Sequence, residues 1–317
     1  MKRISLRLYL SIGITATFGW AITFLAMNVF RNYAVGLFLW LPFVMGISST
    51  IIYAYKNRVT KRLCMQLSFV TLTIFSIGLL FFALEGVICI VMAAPIAFVL
   101  NWLGYMLGYD IVKTKIIGSP PTILIVFLLS VPSLMGFEYA IKDNEVEIKT
   151  IITAIEINAP AETVWKNVIE FPQLDEPKEL LFKTGIAYPI NAKIDGEGVG
   201  AIRHCNFSTG SFVEPITVWD EPHLLKFNVT EQPEAMKELS IYDIHPAHLH
   251  GYFVSKQGQF KLTTLPNGHT LLEGTTWYFN KIKPAFYWTL WSDYIVHKIH
   301  ERVLKHIKAQ SEKQGIS

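Results

Sequence analysis

Three groups of side chains in this sequence have types and spacings that could do chemistry. The first is His245-Pro-Ala-His248-Leu-His250. In an extended segment His248 and His250 point to one face, because strand side chains alternate with period two. Two neutral imidazoles on one face can ligate zinc, with a third ligand from His245, His204 or a carboxylate. The spacing matches no established zinc signature, and a polar loop at the mouth of a cavity explains it as well. The second is Glu273. A two-residue turn at Asn267-Gly268 pairs Pro266 with His269, and counting outward pairs Leu262 with Glu273, Phe260 with Thr275 and Gly258 with Trp277. Phe260, Leu262, Glu273, Trp277 and Phe279 then share a face. If that face is concave, Glu273 is a carboxylate in an apolar pocket, raised in pKa and suited to general acid/base work beside a histidine such as His250. If it is the solvent face, Glu273 pairs with Arg203 or a lysine.

The third group lies near the C-terminus. At 100° per residue Trp288, Ser292, Ile295, Val296, Ile299, Val303 and His306 form one stripe, which is core or cavity wall. Asp293, His297 and His300 lie together on another side, as ligands or as a polar seam. Trp277, Tyr278, Tyr287, Trp288, Trp291 and Tyr294 cluster in sequence. They read as a ligand-cavity lining, as plain core, or as an interfacial belt.

Other chemistries are poorly represented. Cys64, Cys89 and Cys205 form no CxxC and no readable disulfide framework. Gly196, Gly198 and Gly200 are framed unlike a phosphate loop, and no nucleophile elbow is present. No basic stripe with interleaved aromatics supports nucleic-acid binding. No cofactor is expected.

The elements that must position these groups divide unevenly. The chain has 317 residues, 51% of them hydrophobic and 17% charged; an average soluble domain carries roughly 25% charge. Residues 1–140 hold ten Lys/Arg and three Asp/Glu, while residues 141–317 hold eighteen and twenty-two. All nine histidines lie between His204 and His306, so titratable function belongs to the second part.

Uncharged runs cover 8–30, 33–55, 63–84, 86–109 and 116–137. Each is long enough to cross about 30 Å of hydrocarbon as a helix. Glu85-Gly86 marks a tight turn between the third and fourth. Pro120 and Pro121 suit a helix start, and Pro132 predicts a kink in the fifth run. Asn101 is the only strongly polar side chain deep in a run, which disfavours a proton or ion pathway. Lys2, Arg3 and Arg7, then Lys56, Arg58, Lys61 and Arg62, then Lys113 and Lys115 flank alternate ends. The positive-inside rule therefore places the N-terminus in the cytoplasm of an inner-membrane-type protein. Five spans put the second part outside the cytoplasm; a re-entrant or surface-lying fifth segment would return it.

The second part reads as a strand over 146–157, a helix after Pro160, a short helix over 177–182, strands over 200–207, 211–219 and 223–230, an irregular insert over 231–248, strands over 249–264 and 270–280, and a long helix over 285–309. Helices segregated from an antiparallel sheet define an α+β domain.

The segments AIEINAPAETVWKNVIEFPQLDE, GEGVGAIRHCNF and FVEPITVWDEPHLLKFNVTEQP, with the final helix, resemble the START-like superfamily, in particular its polyketide cyclase/dehydrase-type (SRPBCC) branch. The resemblance covers roughly residues 148–310. It implies a helix-grip fold, a curved antiparallel sheet around a long C-terminal helix enclosing an apolar cavity, and a hydrophobic small molecule or lipid as ligand. It carries no catalytic set, and the 231–248 insert departs from shorter members. The expected architecture is thus a transmembrane helical domain of about five spans over 1–140 and a START-like ligand-binding domain over 141–317. Its partners are the lipid bilayer and a hydrophobic molecule. Arg203, His250, Tyr252, Glu273, Trp277, Trp288 and Trp291 are the expected cavity residues. A cyclase or dehydratase using Glu273 and a histidine, and a structural or regulatory membrane protein, are the alternatives.

Overall fold

A computed structural model describes residues 2–31, 33–114, 119–141, 146–244 and 246–314. Two compact units emerge. The first takes the residues up to 144 together with Glu238–Ala247 and Ile282–Pro284; the second takes the remainder.

The first unit is helical. α1 (Lys2–Phe24) continues into a π-helical stretch, Leu25–Phe30, and a second such stretch, Gly36–Trp40, leads into α2 (Leu41–Ala54). α3 (Lys61–Phe81), α4 (Val87–Thr114) and α5 (Pro120–Ala140) follow. Five helical segments, Leu6–Phe30, Gly36–Ala54, Lys61–Phe81, Val87–Thr114 and Pro120–Ala140, are long and apolar enough to cross a bilayer. Their starts are locally encoded. The Thr60 hydroxyl accepts from the Leu63 N–H at 3.3 Å to cap α3. Ser119 does the same for Thr122 at α5, where Pro120 and Pro121 occupy a turn that needs no donors. Pro132 lies within α5 without ending it.

Small residues set the closest approach in this unit. A Cβ on Gly46 of α2 would stand 2.3 Å from the Asn101 carbonyl oxygen, and one on Gly104 of α4 would stand 2.1 Å from that of Phe43. The α2 and α4 backbones therefore touch, as small-residue faces of apolar helices allow. Asn101 is fully buried and accepts a hydrogen bond from the Ser68 hydroxyl at 3.0 Å.

The second unit opens with β1 (Lys149–Ile157), α6 (Ala161–Ile169) and the short α7 (Leu180–Lys183). Then come β2 (Pro189–Asp195), β3 (Ile202–Phe207), β4 (Gly210–Asp220), β5 (Leu224–Asn228), β6 (Phe253–Thr264), β7 (Thr270–Asn280) and α8 (Ala285–Gln314). The seven strands form one antiparallel sheet in the order β1-β7-β6-β5-β4-β3-β2. α8 reaches both edge strands. Lys308 Nζ donates to the Glu156 carbonyl of β1 at 2.6 Å, and Arg302 Nε to the Pro189 carbonyl of β2 at 3.2 Å. A seven-stranded sheet can touch one helix with both edges only by curling around it. Register shifts in β4 and β6 mark bulges that add local bend. The core between sheet and helices contains Trp165, Val168, Ile216, Leu225, Leu272, Leu304 and Ile307.

Strand β2, in which Ile190, Ala192 and Ile194 alternate with polar residues, adds to the strands expected from the sequence, and one expectation is corrected. The β6–β7 register is one residue away from that counted from Asn267-Gly268. Thr264 pairs with Thr270, Leu262 with Leu272 and Lys261 with Glu273. Leu265 N–H donates to the His269 carbonyl and Gly268 N–H to the Leu265 carbonyl, so the loop holds three residues, with Gly268 at φ +80°. A three-residue hairpin with a left-handed glycine uses one residue more than a two-residue turn. A slip of one exchanges the faces of a strand.

Candidate functional site

Between the sheet and α8 the second unit holds a partly open cavity of about 120 Å³. Phe207, Phe212, Phe227, Phe260, Val296 and Leu304 contribute apolar wall, and the inward-facing Gly274 leaves room beside Leu304. Its lining also includes Ser255, Gln257, Gln259 and Thr275, and the titratable side chains at its boundary form two sets.

One set is Arg203 with Glu214. β3 and β4 run back from the turn at Ser208-Thr209, so Arg203 and Glu214 fall opposite one another. Arg203 is 1% exposed; its Nη1 donates to Glu214 and its Nε donates to the Ile169 carbonyl at 3.0 Å. The guanidinium lies 5.5, 5.5 and 5.6 Å from the ring centres of Phe171, Phe227 and Phe260, within reach of cation–π attraction. Burial pulls the Arg203 pKa down, but the charges and hydrogen bonds of Glu214 and Cys205 together outweigh it and leave the pKa raised. Burial pushes the Glu214 carboxyl up against the pull of Arg203. Cys205, one pleat along β3, is pushed up to about 12 by burial; a thiol so held is not a nucleophile near neutral pH.

The other set is a seam between α8 and the sheet. Thr153 Oγ1 of β1 hydrogen-bonds to His297 Nδ1 at 2.8 Å and to His300 Nδ1 at 3.1 Å. His300 Nε2 bonds to Thr276 Oγ1 of β7 at 2.7 Å. Both Thr276 and His300 line the cavity. Burial, helped by His297, lowers His300 to about 4. Further along, the Tyr278 hydroxyl donates to Asp293, and burial together with that bond raises the Tyr278 pKa. Asp293, His297 and His300, grouped from their helical spacing, thus each meet a hydroxyl on the sheet.

The expected site residues separate. Arg203 lines the cavity. Glu273 lies on the opposite sheet face, with its carboxylate 3.5 Å from Lys261 Nζ. Trp277 shares that face, with Lys226 Nζ 4.9 Å from its ring centre. The one-residue register change places both there, so the shared concave face expected for Glu273 with Phe260 does not form. His250 is exposed, with Nε2 3.2 Å from Glu234 Oε1. The extended geometry expected for the His-Leu-His segment is absent: Ala247–Leu249 is a single 3₁₀ turn with His248 buried, and Gly251 follows at φ +72°. His245 lies outside the described residues. Tyr252 is half-buried and accepts from the Lys281 N–H through its carbonyl at 2.8 Å. Trp288 is buried against Tyr287, and Trp291 is half-buried; neither is among the residues lining the cavity. Glu214, Thr276 and Thr153 were not singled out from the sequence. Counting outward from the Ser208-Thr209 turn would have found Glu214.

In the first unit, Glu85, Cys89 and Glu238 bring potential ligand atoms within 4.8 Å of one another, and Cys89 Sγ donates to Glu238 Oε1 at 2.7 Å.

The fold and cavity define an all-helical unit joined to a helix-grip α+β unit with a small, mainly apolar interior space. No family model matches the chain, and no curated protein matches it. Among solved structures, a protein of Nitrosospira multiformis is similar at 17% identity over 53% of this chain and 100% of its own, with a TM-score of 0.33. Truncated norcoclaurine synthase of Thalictrum flavum is similar at 16% identity over 53% of this chain and 96% of its own, with a TM-score of 0.34. The major latex-like protein 151 of Panax ginseng is similar at 14% identity over 54% and 99%, with a TM-score of 0.32.

Proposed function

We propose that this chain is a membrane-anchored binding protein whose helix-grip unit holds a hydrophobic small molecule, or part of a lipid, in the cavity between its sheet and α8. The observation that carries this reading is the cavity itself. Protein interiors normally close up on their own side chains, and here about 120 Å³ remains open beside Phe227, Phe260 and Leu304. An engineered apolar cavity on the order of 150 Å³ admits benzene, so the space suits a single ring or a short acyl segment.

The anchor reading rests on the five long apolar helices and on the alternation of their basic flanks. That alternation gives a cytoplasmic N-terminus and an extracytoplasmic helix-grip unit in an inner-membrane-type bilayer, with the domain division near residue 140. Tethering raises the effective concentration at which the cavity meets ligands that partition into the bilayer. With Glu273 on the face away from the cavity, the role proposed is binding rather than acid/base turnover.

Organic extraction of the gently purified chain, followed by mass spectrometry, tests the binding reading. A hydrophobic compound recovered from the native protein and depleted in Ile299→Trp, which fills the cavity, supports it; identical extracts from both oppose it. Labelling of single cysteines placed on the surface of β5 tests sidedness. Modification by an impermeant reagent in intact cells is expected, and protection until lysis would place the unit in the cytoplasm.

A further inference from the structure

We propose that the polar end of the cavity is the Thr276 hydroxyl backed by His300, and that it receives the carbonyl or hydroxyl oxygen of an uncharged, otherwise apolar ligand. This rests on the cavity being a ligand site, as proposed above.

Donor accounting supports the assignment. A neutral imidazole has one N–H and one lone pair, and a hydroxyl has one donor and two acceptor positions. His300 spends both nitrogens on threonine hydroxyls, Nδ1 on Thr153 and Nε2 on Thr276. Among the described residues Thr276 spends one hydroxyl position, on His300, and it lies at the cavity wall. When His300 carries its proton on Nε2, it donates to Thr276, and the Thr276 hydroxyl hydrogen is released for a ligand carbonyl. When the proton is on Nδ1, Thr276 donates to Nε2 and offers a lone pair to a ligand hydroxyl.

The rest of the seam accommodates either state. Thr153 bridges His300 Nδ1 and His297 Nδ1, so it can donate to one and accept from the other in either direction. His297 takes the compensating tautomer. The chain His297–Thr153–His300–Thr276 therefore turns over as a unit, with no interior donor or acceptor lost. His300 is the positioning residue and Thr276 the contact.

Charge and size narrow the ligand. Arg203 and Glu214 offset one another at the cavity wall, and His300 is held neutral at physiological pH. Gln257 Nε2 is engaged by Asn228 at 3.0 Å. An ionised ligand would bring an uncompensated charge into this space, at a cost of several kcal/mol. The volume of about 120 Å³ fits one ring with a short substituent.

The test uses the full chain in nanodiscs, labelled with ¹³C at isoleucine δ1 methyls and ¹⁵N in histidine rings. The probes are acetophenone, the similarly sized isopropylbenzene, and benzoate, compared at equal free concentration. The Ile299 methyl, at the cavity wall, reports occupancy. Acetophenone is expected to bind about tenfold more tightly than isopropylbenzene, to fix His300 with its proton on Nε2, and to leave benzoate unbound in comparison. Thr276→Val is expected to remove the tenfold preference while leaving isopropylbenzene unchanged, and Thr276→Ser to keep it. Isopropylbenzene saturating the Ile299 signal with no advantage for acetophenone overturns this inference and leaves the cavity reading standing. Benzoate binding as tightly as acetophenone overturns the uncharged class. No probe moving the Ile299 signal overturns both.

Discussion

Arg203 and Glu214 face one another across neighbouring strands β3 and β4, hydrogen-bonded and almost wholly removed from water. A buried pair of this kind is costly to break but less costly to replace, because removing one partner strands the other charge. Arg203→Met and Glu214→Leu, made singly, are each expected to destabilise the second unit by about 3 kcal/mol. The double variant should lose clearly less than the sum. Thermal unfolding followed by tryptophan fluorescence measures this. Additive losses would mean that the two side chains do not depend on one another.

The seam under α8 makes stability depend on pH in one direction. His300 falls from the ordinary 6.5 to about 4 in the folded chain. Above 6.5 both folded and unfolded forms are neutral, and nothing changes. Between 6.5 and about 4 the unfolded chain binds the proton that the folded chain refuses, so stability falls as pH falls, by on the order of 3 kcal/mol in all. His306, also lowered by burial, acts in the same sense. Denaturation midpoints across this window should drop on acidification, and the drop should be shallower in His300→Gln. Equal slopes in the two proteins would remove His300 as a cause.

The contact between α2 and α4 predicts a sharp contrast between glycines. Gly104→Ala places a methyl group 2.1 Å from the Phe43 carbonyl oxygen, whereas Gly136→Ala on α5 meets nothing within 4 Å. The first should lower the yield of folded protein in membranes severely, and the second should be silent. Size-exclusion profiles after mild extraction report both. A normal Gly104→Ala profile would mean that the two helices can separate without penalty.

Glu273 and Trp277 sit on the sheet face turned away from α8, engaged by Lys261 and Lys226. Glu273→Gln is therefore expected to leave ligand occupancy unchanged. Occupancy read from the Ile299 methyl checks this, and a loss of more than about threefold would put the carboxylate back among the residues that matter for binding.

How much of this was legible depends on whether the signal is local. The long apolar helices, the capping Thr60 and Ser119, and the order of strands around a final helix are written in composition and short-range spacing. The face on which Glu273 falls is not. It turns on whether Asn267-Gly268 closes a loop of two residues or three, a difference of one left-handed glycine. The Arg203–Glu214 partnership could be counted from its turn. The meeting of Thr153, His297, His300 and Thr276 could not, because Thr153 of the first strand reaches the last helix across 144 and 147 residues. The allocation of Glu238–Ala247 to the helical unit is likewise a matter of packing, with no sign in its own composition.

The central claim is an occupied interior, and native mass spectrometry of the intact chain released from nanodiscs addresses it most directly. The account predicts a population heavier than the bare chain by one small hydrophobic molecule, reduced in Ile299→Trp and retained in Glu273→Gln. A single unliganded mass for the native protein, unchanged after incubation with membrane extract, would contradict it.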